Sequence, residues 1–372
     1  MEKWLSSGFQ DFSGELPFGK VLADEGLNVS NEVQSSADRT TALLCCAYII
    51  ESIDQRVQRY AEVGFTRDVR ADKTQALTTL LVGHQYGLQG ATAHEAALGG
   101  GHVTTWLALR GHLVDEQITT LMNDLSKSSA HMHVEDDTLV KDHSIQQQVV
   151  LLGAGLDTRA WRLAFPPGIA WYEVDQASVL DFKISRLQKA GAGMQAGQGS
   201  NAFPLKSASY TAVAADLSEA DWTGALRKSG WQEHLPTVWV AEGLLYYLEP
   251  KAVAALLKEV AAMSAVESFL IATACTTAYI DYARQVAATM ESGLLPTLSA
   301  AVKWTLPPDA PIHFQQYNWK IQHTIDLLKQ AKELGLRLQP CADEPRSLDE
   351  SEAAIECKVM VCSTEALSNV KR

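Results

Sequence analysis

Glycines and acidic residues follow short apolar runs in the second half of the chain. The stretch QQVVLLGAGLDTRAWRL has Gly153 and Gly155 directly after an apolar run. Glycines at that place let the backbone turn sharply and let a ligand approach it, although a glycine turn alone also ends many strands. A dinucleotide loop would have a third glycine at position 158, where this chain has Thr158 behind Asp157. A carboxylate there disfavours a pyrophosphate and favours a cationic ligand, such as a sulfonium or an ammonium group.

A second acidic position lies in WYEVDQ. Strand alternation places Glu173 and Asp175 on one face, with Asp175 at the carboxyl end of the run. A carboxylate there can accept hydrogen bonds from both ribose hydroxyls of a bound nucleoside. Enzymes that use NAD share this feature, so it favours nucleoside binding without choosing between cofactors.

Asp216 and Glu242, which follow the next two apolar runs in the chain, each allow two interpretations. Asp216, in VAADLSEADW, can accept from an adenine amine while the N–H of Leu217 reaches a ring nitrogen, or it can cap the following helix. Glu242, in VWVAEGLLYYL, needs a cationic or donor partner, because burying a lone carboxylate is costly. That partner is either a ligand ammonium group or an arginine of the protein.

These residues require strands whose carboxyl ends meet at one edge of a sheet. From residue 146 onward, β-branched runs alternate with helical segments, which predicts a doubly wound α/β domain with a parallel sheet. The last two runs, LRLQPCADE and AAIECKVMVCST, are predicted to pair antiparallel at one edge. A seven-stranded sheet with such an ending is typical of S-adenosylmethionine methyltransferases, whereas dinucleotide-binding domains usually end parallel.

The rest of the chain is predicted to surround this domain, which runs over residues 146–372. Residues 1–35 are polar and punctuated by glycine and proline, and we expect an arm. Residues 36–145 have apolar residues at helical spacing, which predicts a helical lid. Residues 276–335 are too long for one crossover helix and contain several prolines, so we expect an insertion that covers the substrate.

Composition narrows the classes of partner. The 372-residue chain is 47% hydrophobic with a formal net charge of -13, which disfavours nucleic acid and anionic membranes as partners. Six cysteines without a CxxC pair predict reduced thiols and a cytoplasmic location. We expect neither a signal peptide nor a membrane span, and the HMH triplet is not interpreted as a metal site.

Four segments, in this order and spacing, resemble one family: VVLLGAGLDTRAWRL, WYEVDQASVLDFKISRL, ADLSEADWTGALRKSGW and PTVWVAEGLLYYL. They are similar to the leucine carboxyl methyltransferase family, including its bacterial-type O-methyltransferases. The resemblance is strong over residues 145–275, moderate over 106–120 and weak over 36–60. It implies a class I S-adenosylmethionine-dependent methyltransferase fold, Rossmann-like, with a helical N-terminal lid.

The resemblance also implies which residues bind the cofactor, S-adenosyl-L-methionine. The segment LALRGHLVDEQI resembles the one whose arginine binds the methionine carboxylate, and SSADRTTAL resembles another part of the cofactor lid. The implied cofactor-binding residues are Gly153 and Gly155 at the methionyl part, Asp175 at the ribose, Asp216 and Leu217 at the adenine, Glu242 near the methyl donor, Arg110 at the carboxylate, and Arg39.

The acceptor is the open part of the assignment. Tyr247 corresponds to an aromatic residue on the family's substrate side, and Arg159 lies in the loop beside the donor, so these are the candidate catalytic residues. Members that methylate the C-terminal leucine of a phosphatase have an arginine where this chain has Ser218. We therefore expect methyl transfer to a carboxylate or hydroxyl of a small molecule, by a monomer or homodimer. The alternatives are a protein C-terminal leucine, an NAD-dependent dehydrogenase, and a silent nucleoside-binding module.

Overall fold

A computed structural model describes most of the chain after residue 101. The described residues are 102–132, 145–155, 157–189, 192–196, 204–219, 221–288, 299–333 and 357–364. The predicted arm and the predicted lid up to residue 101 lie outside them. The chain divides into two compact units, one of residues 110–276, 303–327 and 357–372, the other of 1–109, 277–302 and 328–356.

The first unit contains a single seven-stranded sheet, as the sequence predicts. Its order is β3-β2-β1-β4-β5-β7-β6, in which β1 to β5 pair parallel and β7 runs antiparallel to both of its neighbours. The strands are β1 Gln147–Leu152, β2 Ile169–Asp175, β3 Ser209–Ala214, β4 Thr237–Ala241, β5 Phe269–Cys275, β6 Trp319–Asp326 and β7 Cys357–Thr364. The order reverses between β1 and β4, where ligands of open α/β sheets bind beyond the carboxyl ends.

Helices connect the parallel strands. The described helices are α1 His102–Met132, α2 Arg159–Arg162, α3 Ala177–Lys189, α4 Trp222–Lys228, α5 Pro250–Met263, α6 Thr277–Ala287, α7 Ala310–Gln315 and α8 Leu327–Glu333. A short 3-10 turn at Leu245–Tyr247 precedes α5. Helix α5 begins with proline at its first position, where no backbone N–H is needed, and it buries Val253, Leu256, Leu257 and Val260 along one face.

The core explains the continuous apolar runs in the sequence. Every residue of β1 and β4 is buried, and so are the first six residues of β2. A parallel sheet covered on both faces requires such strands. Trp161, Trp171, Trp222, Trp239 and Trp319 are among the largest fully buried side chains. This packing holds the strand ends, and therefore the acidic residues that follow them, in fixed positions.

The first strand of the antiparallel ending differs from the prediction. It is Trp319–Asp326, inside the predicted insertion, whereas the predicted run at residues 336–344 lies outside the described residues. The polar sequence KIQHT and a register shift between Ile321 and His323 break the expected alternation. Trp319 anchors the strand, because its indole N–H donates to the carbonyl of Leu257 at 3.0 Å. The second strand, β7, lies where the sequence predicts it.

The second unit is described only in part. Its helix α6 is linked to the segment that follows, because Arg284 donates from Nε to the carbonyl of Ser299 and from Nη2 to the carbonyl of Val302, both at 3.2 Å. Within the described part of the whole chain, no helix is both long and apolar enough to cross a membrane.

Candidate functional site

The loop after β1 depends on glycine. Gly153 and Gly155 have φ values of 66° and 52°, in the left-handed region that favours glycine. A Cβ added to Gly153 would lie 2.9 Å from Cδ1 of Leu244. The N–H of Gly153 donates to the carbonyl of Val174 at 2.8 Å, which ties the loop to the end of β2. The sharp turn predicted from the GAG sequence is therefore present.

Asp175 stands beside this loop at the end of β2. Its Oδ2 accepts from the N–H of Gly155 at 2.7 Å, and its Oδ1 accepts from the N–H of Gln176 at 2.7 Å. Two such bonds from backbone N–H groups limit the rotation of the carboxylate. A half-buried acid is thus held next to the glycine turn, as the sequence predicts.

Asp216 follows β3 and lies near Asp175. Its Oδ1 accepts from the N–H and the hydroxyl of Ser218, at 2.8 and 2.6 Å, and its Oδ2 accepts from Nε2 of Gln176 at 3.4 Å. Helix α4 begins at Trp222 with Asp221 as its N-cap residue, so Asp216 is not the cap that the sequence left open. Gln176 follows Asp175 directly, so it links the ends of β2 and β3. Leu217 is buried.

Glu242 lies between two arginines just after β4. Its Oε1 accepts from Nε of Arg110 at 2.8 Å, and its Oε2 is 2.7 Å from Nη2 of Arg159. Burial alone would raise the pKa of Glu242, but the guanidiniums of Arg159 and Arg110 outweigh it and hold the pKa below its ordinary value. Of the two partners that the sequence allowed, the structure shows arginines of the protein.

Arg159 is surrounded by acceptors. Its Nε and Nη1 lie 2.5 Å from Asp115 and Asp157, and its Nη2 also donates to the carbonyl of Gly111 at 3.2 Å. Only 3% of the residue is exposed. Burial opposes the charge, but Asp157, Glu242 and Asp115 outweigh it and raise the pKa of Arg159. Asp157 thus pairs with an arginine of its own loop, although the sequence suggested a cationic ligand as its partner.

Arg110 has partners that the sequence did not indicate. Its Nη1 donates to the hydroxyl of Tyr246 at 2.8 Å. Gly243 has a φ of 66°, and a Cβ there would lie 3.2 Å from Nη2 of Arg110. Tyr247, the predicted substrate-side residue, is partly exposed and meets the ring of Tyr246 edge-on at 4.6 Å. The tyrosine pair after Glu242 was the only sequence signal for Tyr246.

A second charged cluster lies deeper, in the middle of β2. Lys183 forms an ion pair with Glu173, and both side chains are fully buried. The hydroxyl of Tyr210 donates to Oε2 of Glu173 at 2.8 Å, and the indole N–H of Trp171 donates to Oε1 at 3.2 Å. Burial raises the pKa of Glu173, and the nearby lysine lowers it only in part.

The remaining predicted site residue, Arg39, lies outside the described residues. Among the residues that the structure does describe, no group of three or more histidine, cysteine, aspartate or glutamate side chains is arranged to hold a metal ion. The described site therefore consists of Arg110, the loop from Gly153 to Arg159, Asp175, Asp216 with Leu217, and the segment from Glu242 to Tyr247.

Comparison with known proteins places this site in a family context. Residues 104–261 match the model of the leucine carboxyl methyltransferase family. The match includes α1 from residue 104 onward and the strands from β1 to β4, with every described residue of the site. It confirms the resemblance that the sequence motifs indicate and, together with the strand order, the predicted class I methyltransferase fold.

Individual relatives match over a shorter stretch. A Mycobacterium sp. (strain JLS) protein, provisionally named an S-adenosyl-L-methionine-dependent methyltransferase, is 46% identical over 122 residues, which are 33% of this chain and 36% of that protein. A Streptomyces avermitilis protein with the same provisional name is 45% identical over 122 residues, 33% of this chain and 38% of that protein. The chain thus matches little more than a third of the length of these relatives.

A crystal structure of a DUF574 family protein from Streptomyces avermitilis has a TM-score of 0.45 and 10% identity, and the comparison covers 80% of this chain and 99% of that one.

Proposed function

We propose that this chain is an S-adenosyl-L-methionine-dependent O-methyltransferase that acts on a carboxylate or hydroxyl group of a small molecule. The observation that carries the proposal is the position of Asp175. Its carboxylate is held by backbone N–H groups of the glycine loop and of its own strand end, beside the point where the sheet order reverses. A nucleoside at that point would have both ribose hydroxyls within reach of an oriented carboxylate.

The described residues fit the chemical groups of this cofactor. Arg110 would pair with the methionine carboxylate, and Glu242 beside it would attract the ammonium group. Asp175 would accept from the ribose, while Asp216 and the N–H of Leu217 would meet the adenine. Gly153 would let the methionyl part approach the backbone, and its missing side chain also leaves room for Leu244. The names of the Mycobacterium and Streptomyces relatives support the same cofactor.

The residues of the site would act mainly by holding the cofactor and orienting the methyl acceptor. When bound, S-adenosylmethionine would supply a methyl group that passes in line to a nucleophile as the carbon–sulfur bond breaks and S-adenosylhomocysteine leaves. Alignment of the acceptor and exclusion of water account for most of the rate increase in such a reaction. Tyr247 would contact the acceptor, and Arg159 would keep Glu242 ionised and in place. A carboxylate acceptor is already ionised at pH 7, whereas a hydroxyl would need a base.

A product screen tests the proposal. The purified chain is incubated with methyl-labelled S-adenosylmethionine and panels of carboxylic acids and phenols, and the products are identified by mass. We expect a mass increase of one methyl group for members of one panel, and no product with an Asp175→Asn variant of equal thermal stability. Absence of transfer to every acceptor, together with binding of NAD in place of S-adenosylmethionine, would overturn the proposal in favour of a dehydrogenase.

A protein C-terminal leucine remains the less favoured acceptor. The residue after the Asp216-Leu217 pair is Ser218, whose hydroxyl donates to Asp216 at 2.6 Å. A serine held in this way has no positive charge with which to bind the carboxylate of a protein C-terminus.

A further inference from the structure

The guanidinium of Arg110 donates to two side chains that follow β4. Nε donates to Glu242 at 2.8 Å and Nη1 donates to the Tyr246 hydroxyl at 2.8 Å. Gly243, between them in the chain, leaves room for the group, because a Cβ there would lie 3.2, 3.3 and 3.4 Å from Nη2, Nη1 and Cζ of Arg110. A side chain at position 243 would therefore crowd the guanidinium in this orientation.

Tyr246 and Gly243 are themselves fixed by hydrogen bonds to other segments. The carbonyl of Tyr246 accepts from the N–H groups of Lys303 and Trp304, at 2.7 and 3.2 Å, and its ring packs edge-on against Tyr247. The N–H of Gly243 donates to the hydroxyl of Thr273, on β5, at 2.9 Å. Tyr246 and Gly243 are therefore held in place by other parts of the sheet unit, independently of Arg110.

Such support matters because arginine is a long side chain with many rotamers. A carboxylate is bound best by two parallel N–H bonds from one guanidinium, and this requires the plane of that group to face the ligand. Fixing the plane before binding lowers the entropy lost on binding, which increases affinity. Glu242 accepts from Nε and the Tyr246 hydroxyl accepts from Nη1, while the missing side chain at Gly243 leaves room for the group in this orientation.

We propose that Tyr246 and Gly243 are positioning residues: the Tyr246 hydroxyl holds the Arg110 guanidinium, and Gly243 leaves room for it, in the orientation that binds the carboxylate of the methionine part of S-adenosylmethionine. This inference rests on the proposed function, and extends it to two residues whose effect passes through Arg110. Tyr246 is 6% exposed and burial raises its pKa, so it serves as a neutral hydroxyl.

The test compares two ligands on a Tyr246→Phe variant. S-adenosylhomocysteine has the methionine-type carboxylate, whereas 5′-methylthioadenosine has the same nucleoside without it. We expect the variant to bind S-adenosylhomocysteine roughly tenfold more weakly than the unmodified chain, the effect of one lost bond to a charged group. Affinity for 5′-methylthioadenosine stays within about twofold, because Arg110 does not contact that ligand.

Tyr210→Phe is the matched control. It removes the hydroxyl of a half-buried tyrosine, which donates to the buried side chain of Glu173 in the same sheet unit. We expect it to leave the ratio of the two affinities unchanged. A second check repeats Tyr246→Phe in an Arg110→Gln background, where it should cause no further loss. Gly243→Ala should also weaken S-adenosylhomocysteine selectively, with melting temperature measured to confirm folding.

Each other outcome contradicts the inference in its own way. Equal weakening of both ligands by Tyr246→Phe would mean a general structural role. No weakening of either, or a further loss in the Arg110→Gln background, would remove the positioning role. If the unmodified chain binds neither ligand, the proposed function fails, and the inference fails with it. If the unmodified chain binds both ligands, the proposed function stands, and the affinities of the variants test the positioning role alone.

Discussion

Two glutamates in the same sheet unit, Glu242 and Glu173, have opposite electrostatic surroundings. Glu242, just beyond the end of β4, lies between Arg110 and Arg159, which lower its pKa. Glu173, within β2, has one cation, Lys183, and burial raises its pKa. The two side chains have similar chemistry, but Glu242 lies at the edge where ligands of such sheets bind and Glu173 lies inside the packed layers.

The positions of the two clusters indicate which charged residues should affect only folding and which should also affect cofactor binding. The Glu173 cluster contains one carboxylate, one ammonium and two neutral donors, and both charged side chains are fully buried. The Glu242 cluster extends over the helix α1, the glycine loop and the end of β4, and it includes the arginine proposed to meet the cofactor. We therefore expect changes in the first to alter folding, and changes in the second to alter both folding and cofactor binding.

The largest effect is expected from Arg159→Met. Removing the guanidinium leaves Asp115, Asp157 and Glu242 without this shared partner, and breaking a buried pair costs up to about 5 kcal/mol. Urea unfolding should show a loss of roughly that size, and affinity for S-adenosylmethionine should fall as well. Arg227→Met is the control, since its exposed pair with Glu233 should contribute less than about 1 kcal/mol. Equal effects for the two variants would contradict the assignment of Arg159.

Lys183→Met should have a somewhat smaller effect. Glu173 would lose its cation but keep bonds from Tyr210 and Trp171, and it can be protonated, so we expect a loss of about 3 kcal/mol. Adding Glu173→Gln should recover part of this loss. In urea unfolding and ligand titration, stability should fall while affinity for S-adenosylmethionine is kept. If Lys183→Met lowered affinity for S-adenosylmethionine as much as Arg159→Met does, the Glu173 cluster would not be separate from cofactor binding.

The pH dependence of stability should have opposite signs at the two glutamates. A lowered pKa means that the unfolded chain binds more protons, so Glu242 adds stability as pH rises towards the ordinary glutamate value of 4.5, and loses it as pH falls through the folded pKa. A raised pKa means that the folded chain binds more protons, so the contribution of Glu173 falls as pH rises above 4.5.

The variants Glu242→Gln and Glu173→Gln measure how the stability contributed by each glutamate changes with pH. The difference in unfolding free energy between the unmodified chain and each variant is measured at a series of pH values. It should grow with pH below about 4.5 for Glu242 and shrink with pH above about 4.5 for Glu173, each by at most about 1.4 kcal/mol per pH unit. Slopes of the same sign at both sites would show that their surroundings are not opposite.

The smallest effect is expected at Gly111, whose carbonyl faces Arg159 from α1. A Cβ there has nothing within 4 Å, so alanine fits, and replacing a helical glycine by alanine stabilises a helix by roughly 0.5–1 kcal/mol. Gly111→Ala should therefore raise the melting temperature slightly without changing ligand affinity. Gly153→Ala provides the contrast, because a positive φ and contact with Leu244 make alanine unfavourable there.

The site residues that the sequence predicts are those that directly follow a strand. Asp175, Asp216 and Glu242 each follow an apolar strand, and parallel strands bring their carboxyl ends to one edge. Partners brought in by tertiary packing could not be found in this way. Asp115 lies on α1, 44 residues before Arg159 in the chain, and Tyr246 meets Arg110 across 136 residues. Neither contact leaves a periodic signal in the sequence.

The position of β6 could not be predicted for a related reason. Its polar, bulged sequence does not alternate, because most of the strand lies at an exposed sheet edge, and only Trp319 marks the buried side. The continuous apolar runs of β1, β2 and β4 were predictable because burial on both faces of the sheet requires them.

We expect the edge formed by Asp175, Asp216 and Glu242 to bind S-adenosylmethionine. Calorimetric titration of the chain with S-adenosylmethionine and, separately, with NAD measures this, with Asp175→Asn as the matched variant. We expect saturable one-site binding of S-adenosylmethionine, no binding of NAD, and affinity reduced at least tenfold in the variant, since a charged bond to the ribose is lost. Binding of NAD alone, or equal binding of S-adenosylmethionine by the variant, would show that this edge is not the site of S-adenosylmethionine.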